Sequence, residues 1–421
     1  MRANVLKAFQ SWNYRLYFSG QSISLIGTWM QRTAVYWLIY EKTQSSFMLG
    51  VAVFAAQFPS FLFSILGGVI ADRYNRYKVL LFTQLASLIQ AALLTTLVLL
   101  DNYMVWQILA LSVLLGIINA FDVPARQAMV YDMVDNKEHL PNAIALNSSM
   151  VHTARLIGPA VSGLVLQQYG AAICFLVNAL SFIAVITSLL CMKLPPYKKR
   201  EHVNNAFIDL KEGFGYLKNT PAISTIMLML ACISLLALPY ITLLPVYAKE
   251  IFLGEASTFG YLNSFVGLGA VCGAFFLASL KSGTNLKKVL FFNTLIFGLG
   301  LIIFSHLTHL PIALLAIAFT GFGMMSQTTI SNTLIQTTVA PAMRGRVISY
   351  YAMAFFGMQP IGGLLVGTLS HYLGAPNTIL IEGLATLLIA LIFFPFLRRD
   401  LLKRKHKIKI DQLEERSIET T

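Results

Sequence analysis

The sequence predicts an all-α polytopic membrane protein with twelve transmembrane helices, arranged as two pseudo-symmetric bundles of six. Three observations support this fold class. The 421 residues are 57% hydrophobic and only 12% charged, with a mean hydropathy of +0.69, whereas soluble globular domains carry about 25% charged residues. The apolar residues form long segments, and the two halves of the chain share short patterns at a nearly constant spacing.

A helix needs about 20 residues to cross a bilayer core of about 30 Å. Twelve apolar segments reach this length, at residues 15–40, 47–71, 79–100, 104–123, 142–168, 172–193, 222–247, 257–280, 288–308, 311–334, 346–370 and 377–397. Two joins, 168–172 and 370–377, are unusually short. The charged start of the chain leads into a full-length span, which distinguishes it from a cleavable signal peptide with a short apolar core.

The longest polar stretch between spans divides the chain into six spans and six spans. We therefore expect an N-terminal bundle at 1–193, a cytoplasmic linker at 194–221, a C-terminal bundle at 222–397 and a basic cytoplasmic tail at 398–421. With both termini cytoplasmic, 27 of the 31 Lys and Arg residues fall on the cytoplasmic side, as the positive-inside rule requires. The net charge of +13 thus indicates contact with anionic lipid headgroups rather than with nucleic acid.

The two halves repeat each other. At a shift of 204 residues, glycines fall on glycines three times, at 158 and 362, 163 and 367, and 170 and 374. At a shift of 210, the run 78–82 falls on the similar run 288–292. A parallel repeat of this kind places the binding site between the halves, near the bilayer midplane.

Two arginines, Arg32 and Arg155, lie deep in predicted spans, while no Asp or Glu lies deep in spans 1 to 6. A cation at this depth costs about 2.5–3.5 kcal/mol on insertion scales, so we expect it to face a polar cavity. Arg binds carboxylate and phosphate through a planar fork. The predicted binding residues for an anionic cargo are Arg32, Arg155, Gln31, Thr28, His152, Gln359, Gln327 and Tyr351. The alternative is that both arginines bond backbone carbonyls and hydroxyls and hold helices together.

The turn after the second span contains Gly68, Asp72, Arg73 and Arg76, followed by Lys78. This spacing resembles the signature of the major facilitator superfamily, and the resemblance covers essentially the whole chain. Asn75 replaces the second glycine of the signature, but Asn tolerates left-handed backbone well, so we expect the turn to survive. The resemblance implies that these residues latch the cytoplasmic side shut, with Asp72 at the start of span 11 near Arg346 and Arg76 paired with Asp122.

The fifth span carries Gly158, Pro159 and Gly163, which resemble the exporter motif of that superfamily in a reduced form. They indicate a hinge or seal between the bundles, or simple helix packing, since Gly and Pro allow both bending and close approach. The stretch from Phe121 to Ala128, followed by Leu140 to Ala143 and Asn147, resembles the bacterial subgroup of enterobactin-type siderophore and drug exporters.

The resemblance implies a monomeric secondary transporter in the bacterial inner membrane. We expect it to export a small anionic or amphipathic molecule by alternating access with proton coupling, for which the candidate carriers are His152, Glu382 and Asp122. An importer of an organic anion or ferri-siderophore, or a multidrug exporter with structural arginines, remains open. No nucleophile motif, phosphate-binding loop or metal-spaced His or Cys cluster is present, and the four cysteines lie in predicted spans. We therefore expect no enzyme activity, cofactor or metal.

Overall fold

The computed structural model describes residues 6–101, 103–194, 206–281 and 283–396. These residues form helices and connecting turns, without a β-strand in the described ranges. The predicted tail at 398–421 lies outside them. The N-terminal bundle consists of α1 (Trp12–Thr43), α2 (Ser46–Arg73), α3 (Arg76–Leu99), α4 (Val105–Met133), α5 (Leu140–Tyr169) and α6 (Ala171–Leu190).

The predicted linker contains a helix of its own, α7 (Ala206–Lys218). The C-terminal bundle follows, as α8 (Pro221–Ile251), α9 (Ala256–Ala278), α10 (Leu286–Ser305), α11 (Leu310–Thr338), α12 (Arg344–Leu373) and α13 (Ala375–Phe396). By length and apolarity, 11 described helices qualify as membrane spans. The remaining long helix, α1, has 32 residues and packs between α5 and α6, which completes the set of twelve.

Two turns at equivalent positions support the predicted repeat. Gly170 ends α5 with φ at 79°, and Gly374 ends α12 with φ at 81°. Such positive values suit glycine, which has no Cβ to clash with the backbone. One residue is therefore enough to reverse the chain at each of the two short joins.

The start of α3 and the start of α10 are capped in the same way. The side chain of Asn75 accepts hydrogen bonds from the amides of Tyr77 and Lys78, and Asn285 does the same for Lys287 and Lys288. The turn survives with Asn75, as expected, but without a left-handed conformation, because the φ of Asn75 is −65°. It is kept as a helix N-cap, a position that Asn favours.

The bundles meet at two crossings that the repeat relates to each other. In the first, Gly163 of α5 lies against Gly260 of α9, and in the second, Gly367 of α12 lies against Gly50 of α2. A Cβ on any of these glycines would come within 3.0 Å of the facing helix. The absence of side chains here lets the two bundles approach closely.

The glycine crossings lie on the side of the molecule that faces away from the N-terminus, which is here called the opposite side. Two polar contacts also join the bundles on this side. Tyr40 of α1 donates a hydrogen bond to Glu250 of α8, and Lys249 lies 3.7 Å from the carboxylate of Glu41. On the N-terminal side, by contrast, polar residues of α5 such as Ser149 and Thr153 are exposed. The bundles are therefore closed together on the opposite side in this conformation.

Candidate functional site

The two intramembrane arginines converge on one aromatic ring. The guanidinium carbon of Arg32 lies 5.2 Å from the centroid of the Trp29 ring, and that of Arg155 lies 5.8 Å from the same centroid. Arg32 also lies 5.7 Å from the ring centroid of Tyr36. Distances below about 6 Å are typical of cation–π contacts. Because both cations contact the same indole, their separation cannot exceed the sum of their two distances from it.

Close packing of α1 and α5 brings these groups together. Gly158 lies directly against Trp29, and a Cβ at this position would come 2.5 Å from the Trp29 Cβ. Ser162, one turn further along α5, donates a hydrogen bond of 3.0 Å to the carbonyl of Met30. The predicted hinge glycine Gly158 therefore sets the spacing of the helices that carry the two arginines.

Neither arginine has a conventional partner. Among the residues that the structure describes, no hydrogen bond or ion pair is made by the guanidinium of Arg32 or of Arg155. The alternative role, in which the arginines bond carbonyls and hydroxyls to hold helices together, is not what this conformation contains. The contacts are with aromatic faces, which leave the N–H groups of both forks available to a bound anion.

A tyrosine from the other bundle lies near Arg155, and the sequence had not indicated it. Tyr240 lies within electrostatic reach of Arg155, is fully buried, and its hydroxyl has no hydrogen-bond partner within the described part of the chain. It lies where α8 leaves regular geometry for a 3-10 segment, Leu238–Leu243. The sequence did indicate this irregular segment, because Pro239 and Pro245 each remove a backbone hydrogen-bond donor from the helix.

The other predicted binding residues divide into two groups. His152 is half-buried and within electrostatic reach of Arg155, and Thr28 is half-buried one residue before Trp29. Gln359 and Tyr351 are also half-buried, but neither shares a hydrogen bond or ring contact with the arginines in the described ranges. Tyr351 stacks instead on Phe355, with ring centroids 6.0 Å apart.

Two predicted binding residues are structural in this conformation. Gln31 is 2% exposed; it donates to Gln90 at 3.0 Å and accepts from Asn178 at 2.8 Å. Its amide is thus used inside the N-terminal bundle and is not available to cargo. Gln327 is fully buried in the C-terminal bundle, with Ser331 as its partner at 3.5 Å.

The predicted latch is arranged differently from the expectation. Arg76 lies 3.7 Å from Asp72 and 3.5 Å from Asp132, while Asp122 pairs at 3.1 Å with Arg126. The predicted pair of Arg76 with Asp122 is therefore wrong for this conformation. Arg126 lies four residues after Asp122 on the same helix, which brings the two side chains onto one face. Hydrogen bonds from Thr83 and Gln84 complete the surroundings of Asp122.

The start of α12 is held by the linker helix rather than by Asp72. Arg346 lies 2.9 Å from the carboxylate of Glu212 on α7, and the hydroxyl of Tyr350 donates to the carbonyl of Leu210. The Asp72 side chain is 55% exposed and its ion-pair contact is with Arg76. Arg73 of the predicted latch follows Asp72 at the end of α2 and is exposed.

Gly68 does not lie at a close helix contact, whereas Pro159 and Gly163 do. Nothing lies within 4 Å of a Cβ built on Gly68, whereas a Cβ on the neighbouring Gly67 would overlap the carbonyl of Ala120. Close packing of α2 on α4 therefore depends on Gly67 in this conformation. Pro159 and Gly163 lie in an unbroken helix, against α9 of the other bundle, so a hinge at these residues stays a prediction.

Comparisons with known proteins agree with this fold. The family model described as "Transmembrane secretion effector" matches residues 4–420. A staphyloferrin A transporter of Staphylococcus aureus is 26% identical, covering 94% of this chain and 98% of its own. An enterobactin exporter of Escherichia coli O1:K1 is 26% identical, covering 90% of each chain. In structure, an inward-facing bacterial homologue of the human lysosomal transporter Spinster matches with a TM-score of 0.74 at 15% identity, covering 94% of this chain and 98% of that chain.

Proposed function

Because the chain belongs to the transmembrane secretion effector family of the major facilitator superfamily, we propose that it exports a small anionic molecule across the bacterial inner membrane by alternating access. The family and the relatives establish that the protein is a multi-pass membrane transporter of a small molecule and not an enzyme. The proposal adds the anionic nature of the cargo, the direction of transport and the coupling ion.

The main support for the proposal is the pair of arginines that contact the Trp29 ring. Two cations within electrostatic reach of each other repel, and each is costly inside a membrane. In the described ranges neither is compensated by a carboxylate. An anionic cargo would supply the missing negative charge, and it would accept charge-assisted hydrogen bonds from both forks.

The opposite-side contacts support the transport cycle. With the N-terminus in the cytoplasm, as the charge distribution predicts, this conformation would admit cargo from the cytoplasm to the arginines. Release would then require separation of the two glycine crossings and of Tyr40 from Glu250. Closure of the N-terminal side would bring Asp72 towards Arg346, which Glu212 occupies in this conformation.

Proton coupling is the proposed source of energy, and the contacts of the three candidate carriers favour one of them. Asp122 is engaged by Arg126, Thr83 and Gln84, which favours its role as a structural anion. The half-buried His152 lies within electrostatic reach of Arg155, which places it beside the proposed cargo site. Neither carboxylate oxygen of Glu382 has a hydrogen-bond partner among the described residues, so Glu382 is the favoured candidate.

Direction and charge preference can be tested together in membrane vesicles. We expect inverted vesicles to take up labelled citrate or dihydroxybenzoate, used as anionic probes, and right-side-out vesicles not to do so. Arg155→Ala and Arg32→Ala should abolish this uptake, while Lys218→Ala, on the linker helix, should leave it unchanged. Uptake only into right-side-out vesicles would make the protein an importer. Unchanged anion uptake in both arginine variants would overturn the proposed site.

A further inference from the structure

A carboxyl group lies in the core of the C-terminal bundle without a partner. Glu382 of α13 is 3% exposed, and neither of its carboxylate oxygens has a hydrogen-bond partner among the described residues. Gly383, the next residue, packs against Gly298 and Ile302 of α10. The position of Glu382 is thus fixed by close helix packing, in a region that gives an ionised carboxylate no stabilisation.

The repeat allows a direct comparison with the other bundle. A shift of 204 residues places Asn178 on Glu382, and Asn178 is also almost completely buried. Its amide donates 2.8 Å to Gln31, which in turn donates 3.0 Å to Gln90. The same place in the fold therefore holds a satisfied amide in one half and an unsatisfied acid in the other, so packing alone does not require an acid here.

Two weak acids of α8, Tyr240 and Tyr247, lie within electrostatic reach of Glu382. Within the described ranges neither carboxylate oxygen is paired with a cation or a hydrogen-bond donor. The α10 residues packed on this part of α13, Gly298 and Ile302, carry no titratable group. An isolated buried carboxylate is strongly disfavoured, and such a group takes up a proton instead. The surroundings of Glu382 in this conformation therefore favour the neutral acid over the carboxylate.

We propose that Glu382 is the site at which this transporter binds its coupling proton, and that the bound proton stabilises the conformation closed on the opposite side. The proposal rests on the proposed transport function and assigns the two tasks to different bundles. The N-terminal bundle supplies the arginines for cargo, and the C-terminal bundle supplies the proton site. Tyr240 lies within electrostatic reach of both Arg155 and Glu382, so it is close to both sites.

The linkage follows from the cost of the charged form. When the carboxyl O–H bond breaks and the proton passes to water, the remaining carboxylate has no partner in this conformation. A conformation that hydrates or pairs the carboxylate is then favoured, because a ligand shifts an equilibrium by its differential affinity for the two states. Loss of the proton should therefore open the opposite side, and proton uptake should close it.

The test measures this opening without any cargo. Spin labels would be attached to cysteines replacing Phe47 at the start of α2 and Tyr372 at the end of α12, which are both exposed, after replacement of the four native cysteines. In lipid nanodiscs, the distance between the labels reports opening of the opposite side. In the label-bearing parent we expect the long-distance population to rise several-fold between about pH 5 and about pH 9, the range in which buried carboxyls titrate.

Glu382→Gln should keep the short distance at every pH, because its amide imitates the protonated acid. Glu382→Asn, which copies the residue of the other half, is a second neutral variant in case the first folds poorly. Glu255→Gln, at an exposed acid, should respond to pH as the parent does. An unchanged pH response in Glu382→Gln, or no response in the parent, would overturn the proton site. Neither result would affect anion binding at the arginines, which is measured separately.

Discussion

The guanidinium carbon of Arg155 on α5 lies 5.8 Å from the ring centroid of Trp29 on α1. Arg32 contacts the same ring, so one indole is shared by two cations from different helices. This arrangement holds both guanidinium groups in place through ring faces alone. It leaves their hydrogen-bond donors unused within the described residues, which is the basis of the proposed anion site.

Removal of the shared ring should weaken anion binding. Trp29→Leu deletes both cation–π contacts, each worth about 0.5–2 kcal/mol, so we expect affinity for an anionic probe to fall roughly tenfold. Trp29→Phe keeps an aromatic face and should lose less. Isothermal titration of the purified variants with citrate would measure the difference, and equal affinities for Trp29→Leu and the parent would show that the ring does not position the arginines.

Gln31 should matter for stability and not for cargo. Gln31→Met would leave the buried Oε1 of Gln90 and the buried Nδ2 of Asn178 each without a partner, at a cost of about 1–3 kcal/mol per group. We expect a lower melting temperature in detergent and unchanged affinity for anions. Lower affinity in a variant of normal stability would restore Gln31 to the binding site.

Adjacent glycines at the end of α2 should differ sharply in their tolerance of a methyl group. Gly67→Ala would drive its Cβ into the carbonyl of Ala120, whereas Gly68→Ala meets nothing within 4 Å. Overpacking of this kind costs about 1–3 kcal/mol or more. Thermal unfolding should therefore separate the two variants, with Gly68→Ala close to the parent. Similar melting temperatures would mean that α2 and α4 are less tightly packed than the structure has them.

The partner of Asp122 can be identified by comparing two arginine variants. Asp122 is 3% exposed and pairs with Arg126, so Arg126→Ala should strand a buried charge at a cost of about 3–5 kcal/mol. Arg76→Ala removes partners of the more exposed Asp72 and Asp132 and should cost less. The reverse order of stability in unfolding experiments would favour the family's usual pairing of Arg76 with Asp122.

Weakening the contact of Tyr40 with Glu250 should favour opening of the opposite side. Tyr40→Phe removes the hydrogen bond that joins the bundles there but keeps the aromatic ring. We expect a larger long-distance population between spin labels at positions 47 and 372 than in the labelled parent. Tyr131→Phe, at an exposed tyrosine on α4, provides the control. Identical distance distributions in the parent and Tyr40→Phe would mean that the glycine crossings and the Lys249–Glu41 ion pair hold this side closed without the Tyr40 hydrogen bond.

Local sequence chemistry was sufficient to predict much of the fold. The apolar segments predicted the spans, and their spacing predicted two short joins, because span length depends on few neighbours. That Gly170 and Gly374 make these turns with positive φ was seen only in the structure. The irregular course of α8 was not predicted, although Pro239 and Pro245 stand in the sequence. Hydropathy detects the length of an apolar segment, and it is insensitive to a break in the helix inside that segment.

The candidate site was predicted only in part. The depth of Arg32 and Arg155 marked them as unusual, but their meeting on Trp29 depends on the packing of Gly158, which spacing along one helix does not reveal. Gln31 and Gln327 share the polar character of binding residues and are nevertheless buried within their own bundles. The face of a central helix that points into its own bundle is set by tertiary packing, which the sequence alone does not show. The partner predicted for Asp122 was wrong for the same reason.

The most direct test of the central claim is anion binding to the purified protein, measured as thermal stabilisation by citrate beside a hydrophobic cation, tetraphenylphosphonium. We expect citrate to stabilise the parent, Arg32→Ala and Arg155→Ala to abolish this effect, and Lys218→Ala to retain it. Stabilisation by the cation alone, with no response to anions in the parent, would contradict an anion site and make the arginines structural elements of a multidrug exporter.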